Sequence, residues 1–169
     1  VREYYTSLGV DVSQDRDVES TDFGKAMQKI AAAQPALRQR EILILGTLGG
    51  RVDQGLRILH DIYRAELKNP SFRLWLLSEA SVSFVLREGD NYIEGLKSGG
   101  FFTKYAGLIP IYGPATITTA GMEWDVSNWD TQMGGEHVSS SNHVVSDRVD
   151  VRTSGPILFT IERSESPRN

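Results

Sequence analysis

Glu41-Ile42-Leu43-Ile44-Leu45-Gly46-Thr47-Leu48-Gly49-Gly50-Arg51-Val52-Asp53-Gln54 is the stretch that decides the fold. Its first part is a continuous apolar run of strand length, the pattern of a strand buried on both faces, and predicts a central strand of a parallel sheet. The glycine-rich turn that follows stands at the carboxyl end of that strand and at the start of a helix, where open α/β sheets bind ligands. Glycines let backbone approach a phosphate, Arg51 offers a planar fork of donors, and Asp53 with Gln54 can bond a polar ligand or cap the helix. The turn is neither a Walker A loop nor the G-x-G-x-x-G fingerprint. A tight strand-to-helix turn without a ligand explains the same residues about as well.

Downstream, Leu56, Leu59, Tyr63 and Leu67 recur at helical spacing until Asn69-Pro70, and residues 73–77 form the next strand. Strand, helix, strand implies a right-handed crossover. Upstream, residues 21–33 predict a helix with Phe23, Met27, Ile30 and Ala31 on one face and Ser20 or Thr21 as its cap. Residues 9–12 read as a short strand. Residues 1–8 read as the tail of a helix stopped by Gly9, and the first residue is Val, so the chain is expected to begin inside a structural element. From about Ser81 the pattern changes to short β-rich runs at 82–86, 108–111, 115–119, 122–126, 144–151 and 157–161, separated by Gly, Pro, Asn and Asp turns. The expected fold is α/β plus all-β: an α/β part over residues 1–80 and an antiparallel β-sandwich or barrel over residues 81–164.

With 169 residues, 40% hydrophobic and 24% charged, the chain can bury a core of its own. A net charge of -4 argues against a nucleic-acid or anionic-membrane surface, so a phosphate site must be local. The lack of cysteine excludes a disulfide scaffold and a thiolate metal site, and makes a cytoplasmic location the default. No apolar run approaches the roughly 18 residues of a membrane span.

Two further segments carry polar chemistry. Residues 15–25 set Asp15, Asp17, Glu19 and Asp22 ahead of a helix N-terminus that also presents Thr21 and Lys25. Carboxylates suit Mg²⁺, while helix-start amides and a Lys one turn in suit a phosphate, although an acidic loop capping a helix is the commoner meaning. In the β-rich part, Trp124 stands between Glu123 and Asp125, with Ser139-Ser140-Ser141-Asn142 further on. An indole face stacks well on a flat cationic heterocycle, and Ser and Asn orient it; a core tryptophan and a serine-rich turn are the ordinary alternatives. His60, His137 and His143 show no ligand spacing and receive no role. Trp75 reads as packing and Trp129 as a loop anchor.

In this order the segments resemble the thiamine pyrophosphokinase family, its fungal branch in particular. Residues 17–25, Asp-Val-Glu-Ser-Thr-Asp-Phe-Gly-Lys, resemble D-x-D-x-T-D-F-x-K, and residues 49–54 resemble G-G-R-x-D-Q. Gly107-Leu108-Ile109-Pro110, Gly121-Met122-Glu123-Trp124 and Ser139-Ser140-Ser141-Asn142 are similar to the family's G-L-I-P, G-L-x-W and S-T-S-N. The resemblance implies a three-layer α/β nucleotide-binding half over residues 1–80, incomplete at its N-terminus, and a thiamine-binding sandwich over residues 81–164. It implies ATP and thiamine as substrates, Mg²⁺ as cofactor, AMP as product, and a homodimer with a shared active site. Residue by residue, it implies Asp22, Lys25, Arg51 and Asp53 as catalytic; Thr21, Lys25, Gly49, Gly50 and Arg51 on the phosphates; and Asp22 with Asp17 on the metal. Asp53, Gln54, Trp124, Ser139, Ser141 and Asn142 would hold thiamine. Glu19 stands where the family has Asp, and the family's metal-binding G-D-x-D-S motif is expected upstream of Val1. A truncated, non-catalytic thiamine-binding module is the alternative function, and a carbohydrate-binding sandwich a weaker one.

Overall fold

The computed structural model describes residues 1–33, 40–46, 48 and 50–164. The chain divides into two compact units, Val1–Leu37 and Arg38–Asn169. The first holds α1, Arg2–Ser7, and α2, Asp22–Ala33. Gly9, at φ 77°, ends the α1 segment with its N–H on Thr6 O at 3.0 Å, as expected. The strand expected at residues 9–12 is absent: Val10 N is tied back to Tyr5 O at 3.1 Å, and the segment runs on as coil. Helix α2 starts where its sequence predicts, because Thr21 Oγ1 accepts the Gly24 N–H at 3.1 Å and so satisfies a donor that has no intrahelical partner. Met27 is its buried residue, and Ile30 lies outside the buried face.

The second unit opens with β1, Arg40–Leu45, then α3, Val52–Lys68, and β2, Phe72–Leu77. Strands β1 and β2 pair in parallel from Arg40↔Phe72 to Leu45↔Leu77, the predicted strand-helix-strand unit. Strand β1 is the outermost strand of its sheet among the described residues, and Leu43 and Leu45 are exposed at 58% and 77%. The inward stripe of α3 is Gly55, Leu59, Ile62 and Ala65, while the expected Leu56 and Leu67 face outward. Gly55 explains the rotation: a side chain there would meet Leu48 O at 3.2 Å, so only a glycine lets this face approach the preceding turn.

The remaining strands are β3 (Ser81–Leu86), β4 (Gly89–Ile93), β5 (Phe102–Ile109), β6 (Ala115–Ala120), β7 (Trp129–Thr131), β8 (Ser139–His143), β9 (Val149–Thr153) and β10 (Ile157–Arg163). They complete a mixed sheet of order β1-β2-β3-β10-β5-β8 and form an antiparallel sheet of order β4-β9-β6-β7. Ile117, Val149 and Val151 of the second sheet pack with Leu108, Ile157, Phe159 and Ile161 of the first, all 1% exposed or less. Each such burial contributes about 1.5–3 kcal/mol, so this interior is the main source of the unit's stability. The expected β-sandwich is therefore present, and its larger sheet continues without a break through residue 80 into β1 and β2.

Strands β2 and β3 pair only at Leu76↔Ser83 and Leu77↔Val82, then diverge. In the wedge sits Glu66, 5% exposed, whose Oε1 accepts the Leu74 N–H at 3.0 Å. Its Oε2 receives Arg87 Nε and Nη2, each at 3.2 Å, and Arg87 also donates to Pro70 O at 2.8 Å and Phe72 O at 2.6 Å. A buried carboxylate paired with a partly exposed guanidinium thus serves backbone groups that the diverging strand no longer reaches. A cavity of about 420 Å³ opens beside it, lined in part by Arg73, Trp75 and Phe84 and by none of the predicted site residues. Trp75 packs on Phe84 at 4.4 Å between ring centroids, as a packing residue should.

Candidate functional site

In the first unit, Asp15, Asp17, Thr21, Asp22 and Lys25 share one loop and the first turn of α2. Asp15 Oδ1 accepts the Asp17 N–H at 2.9 Å, and Asp17 Oδ1 accepts those of Glu19 at 2.8 Å and Ser20 at 3.4 Å. The Ser20 hydroxyl, then the Glu19 amide, hold the Asp17 carboxyl below its ordinary range, so it is a carboxylate at neutral pH. Lys25 Nζ reaches Asp15 O at 3.5 Å, which draws the loop toward the first turn of α2. Among the described residues no three acidic or imidazole side chains converge as a ready-made metal cage. The donors present are carboxylate oxygens, which fit a hard cation held by one or two carboxylates together with substrate phosphates.

In the second unit, the turn after β1 brings Gly50, Arg51, Asp53 and Gln54 to the start of α3; Gly49 lies outside the described residues. Gly50 stands at φ 84°, which favours glycine. Arg51 grips Asp53 with Nε on Oδ1 at 3.0 Å and Nη2 on Oδ2 at 2.6 Å, both side chains well exposed. This pairing lowers the pKa of Asp53 and raises that of Arg51, so both are charged at neutral pH. Three of the five guanidinium N–H groups remain for an anion.

Trp124 is not in a strand. The expected strand at 122–126 is a turn organised by Asp125, which accepts from Thr119 Oγ1 at 2.8 Å, Gly121 N at 3.0 Å and Met122 N at 3.1 Å. Gly121, at φ 99°, lies so close to Arg148 O that a Cβ would sit 2.4 Å from it, which accounts for the glycine. The turn lifts Trp124 to 54% exposure. Its backbone is clamped by Asn142, with Trp124 N on Oδ1 at 3.1 Å and Nδ2 on Trp124 O at 2.9 Å. Asn142 is 5% exposed, so it fixes the stretch of backbone from which the indole projects. Ser139, Ser141 and Asn142 lie on β8, a strand rather than the turn that such a sequence ordinarily makes, and a register shift there opposes Gly107 to the serines. A Cβ on Gly107 would meet Ser139 O at 3.2 Å, so the glycine admits the irregular strand.

Sequence reasoning missed Tyr105, Glu123 and His143. The His143 ring lies 4.8 Å from that of Trp124 and 5.1 Å from that of Tyr105, and its Nδ1 bonds Glu123 Oε2. Only the pairing register Tyr105↔His143 reveals the cluster. Trp129, expected as a loop anchor, lies on β7 and stacks on His137 at 4.7 Å.

The structure thus gathers the predicted residues into three groups. Within the second unit, the Arg51 group follows β1 and the Trp124 group is fixed to β8, the two ends of the six-stranded order. Four strands, β2, β3, β10 and β5, lie between them.

Residues 1–76 match the family model described as "Thiamin pyrophosphokinase, catalytic domain", and residues 91–158 match "Thiamin pyrophosphokinase, vitamin B1 binding domain". The chain belongs to the thiamine pyrophosphokinase family. It is 32% identical over 168 residues to "Thiamine pyrophosphokinase 1" of Oryza sativa subsp. japonica, covering 95% of this chain and 60% of that protein. Against "Thiamine pyrophosphokinase" of Saccharomyces cerevisiae it is 31% identical over 125 residues, 72% of this chain and 39% of the yeast protein. The chain therefore spans about 60% of the length of the rice relative. The fold is that of the solved structure "Thiamin pyrophosphokinase from Candida albicans", with a TM-score of 0.87 at 23% identity over 96% of this chain and 68% of that one. The two thiamine pyrophosphokinase matches fall on either side of the region where the sequence changes from mixed to β-rich.

Proposed function

We propose that the protein is a thiamine diphosphokinase, which moves the terminal pyrophosphoryl group of ATP to thiamine and gives thiamine diphosphate and AMP. The observation that carries this reading is the half-exposed indole of Trp124, clamped by a buried Asn142 in the part that matches the vitamin B1 binding domain. A fixed, half-bare aromatic face receives a flat cationic ring, and the neighbouring Ser139 and Ser141 supply hydroxyls to orient it. In this reading residues 1–80 are the nucleotide part and residues 81–164 the thiamine part.

The thiamine hydroxyl oxygen attacks the β-phosphorus of ATP in line. An oxygen–phosphorus bond forms, the bond from that phosphorus to the oxygen bridging the α- and β-phosphates breaks, AMP leaves with the bridging oxygen, and the hydroxyl proton passes to a carboxylate or to water. Thr21 and Lys25 bind phosphate oxygens, Gly50 lets the chain approach them, and Arg51 steadies the transferring group. Asp22 and Asp17 would hold Mg²⁺, whose chemistry when bound is to neutralise phosphate charge. Asp53 and Gln54 line the meeting of the two substrates. A homodimer with a shared site is supported by the strand order: one chain carries its phosphate turn after β1 and its thiamine platform beside β8, with four strands between them. A cytoplasmic location, read from the cysteine-free composition, belongs to the same proposal; no described helix is long and apolar enough to cross a membrane.

The test is AMP release by the full-length natural protein. Thiamine added to Mg-ATP is expected to give AMP and thiamine diphosphate in equal amounts. Thiamine binding without AMP would favour the non-catalytic module instead, and neither binding nor AMP would overturn both readings.

A further inference from the structure

Half of the Trp124 surface is bare, and the covered part faces a ring that sequence reading left without a role. His143 is wedged between Trp124 and Tyr105, with ring centroids at 4.8 and 5.1 Å and interplanar angles of 42° and 73°. Its side chain is 16% exposed against 46% for Glu123, whose carboxylate holds Nδ1 and so fixes the ring's rotation. Backbone bonds frame the same spot: Glu123 N donates to His143 O at 2.8 Å, and Val144 N to Lys104 O at 2.7 Å. The imidazole packs against the indole while Trp124 as a whole stays 54% exposed.

We infer that His143 is a positioning residue for substrate binding, which props the indole of Trp124 in the orientation that presents its open face to a flat cationic ring. This rests on the assignment of Trp124 as the thiamine platform. Aromatic contacts of this kind change equilibria by about three- to tenfold, and the effect falls on binding because His143 reaches the substrate only through Trp124. Tyr105 backs the imidazole from the other side, so the loss of His143 leaves the indole unsupported, whereas a phenyl ring in its place restores the packing without the bond to Glu123.

The experiment compares His143→Ala, His143→Phe and Trp124→Ala in the full-length protein, with steady-state kinetics and thiamine titration by tryptophan fluorescence. His143→Ala is expected to raise KM and Kd for thiamine about three- to tenfold, with kcat within twofold and KM for ATP unchanged; His143→Phe recovers most of the loss. Trp124→Ala raises KM for thiamine at least as much and abolishes the quenching. The inference is overturned if His143→Ala leaves thiamine KM at the wild-type value while Trp124→Ala raises it, or if His143→Phe is as impaired as His143→Ala. A Trp124→Ala protein with unchanged thiamine KM would instead remove the platform itself, and the inference with it. Should His143→Ala not fold, His143→Phe decides: a thiamine Kd within about twofold of wild type is expected, and a rise of about threefold or more overturns the inference.

Discussion

Replacement of Arg51 by alanine is expected to lower kcat for AMP formation by about two to three orders of magnitude, the usual cost of removing one preorganised donor from a developing charge. The side chain is well exposed and tethered by Asp53, so it loses little freedom on meeting a phosphate and still has donors to offer. Arg51→Lys keeps the charge without the planar fork and should recover only a small part of the rate. Stability should change by less than about 0.5 kcal/mol in urea titrations, because the residue buries nothing. A variant within threefold of wild-type kcat would remove Arg51 from the chemistry. The tether also has a pH sense: Asp53 is held below the usual carboxylate range, so the pair is intact at neutral pH and loosens only as pH falls through that lowered value.

Glu66→Ala acts on the scaffold instead, and should cost about 1–3 kcal/mol of unfolding free energy, the penalty of leaving a buried amide and a partly exposed guanidinium without their acceptor. The Leu74 amide loses its acceptor, and Arg87 stays pinned by the Pro70 and Phe72 carbonyls with its charge uncompensated. Glu66→Gln retains an acceptor for Leu74 and should cost less. Urea titration of the three proteins gives the comparison, and a loss below about 1 kcal/mol for alanine would show that water replaces the carboxylate without penalty. Because the wedge joins β2 to β3, this loss should also loosen the link between the part that carries Arg51 and the rest of the sheet.

Much of this architecture was legible in the residues, and the misses have definite causes. The strands at 82–86, 115–119 and 157–161 were readable because apolar patterning and burial coincide there, and the helix of residues 21–33 because its Thr21 cap is written in the sequence. Strands β4, β7 and β8 were not, since they are short and rich in Gly, Asp, Asn and Ser, and owe their form to neighbours rather than to propensity. The outward faces of Leu56 and Leu67 depend on which surfaces meet, which no local pattern encodes. Of the candidate site, the ordered motifs were plain in sequence, but the support beneath Trp124 was not: Asn142 is 18 residues away along the chain, and His143 meets Tyr105 only through strand register.

The six-stranded sheet, with the Arg51 turn after one outer strand and Trp124 held beside the other among the described residues, has a genetic consequence if two copies share their sites. A chain that lacks Arg51 and a chain that lacks Trp124 would each be inactive alone. Mixed, half of the random pairs would be heterodimers, each with one site carrying both lesions and one carrying neither, so about a quarter of wild-type activity would return. Two recessive lesions, one in each group, would then complement each other, whereas two lesions in the same group would not.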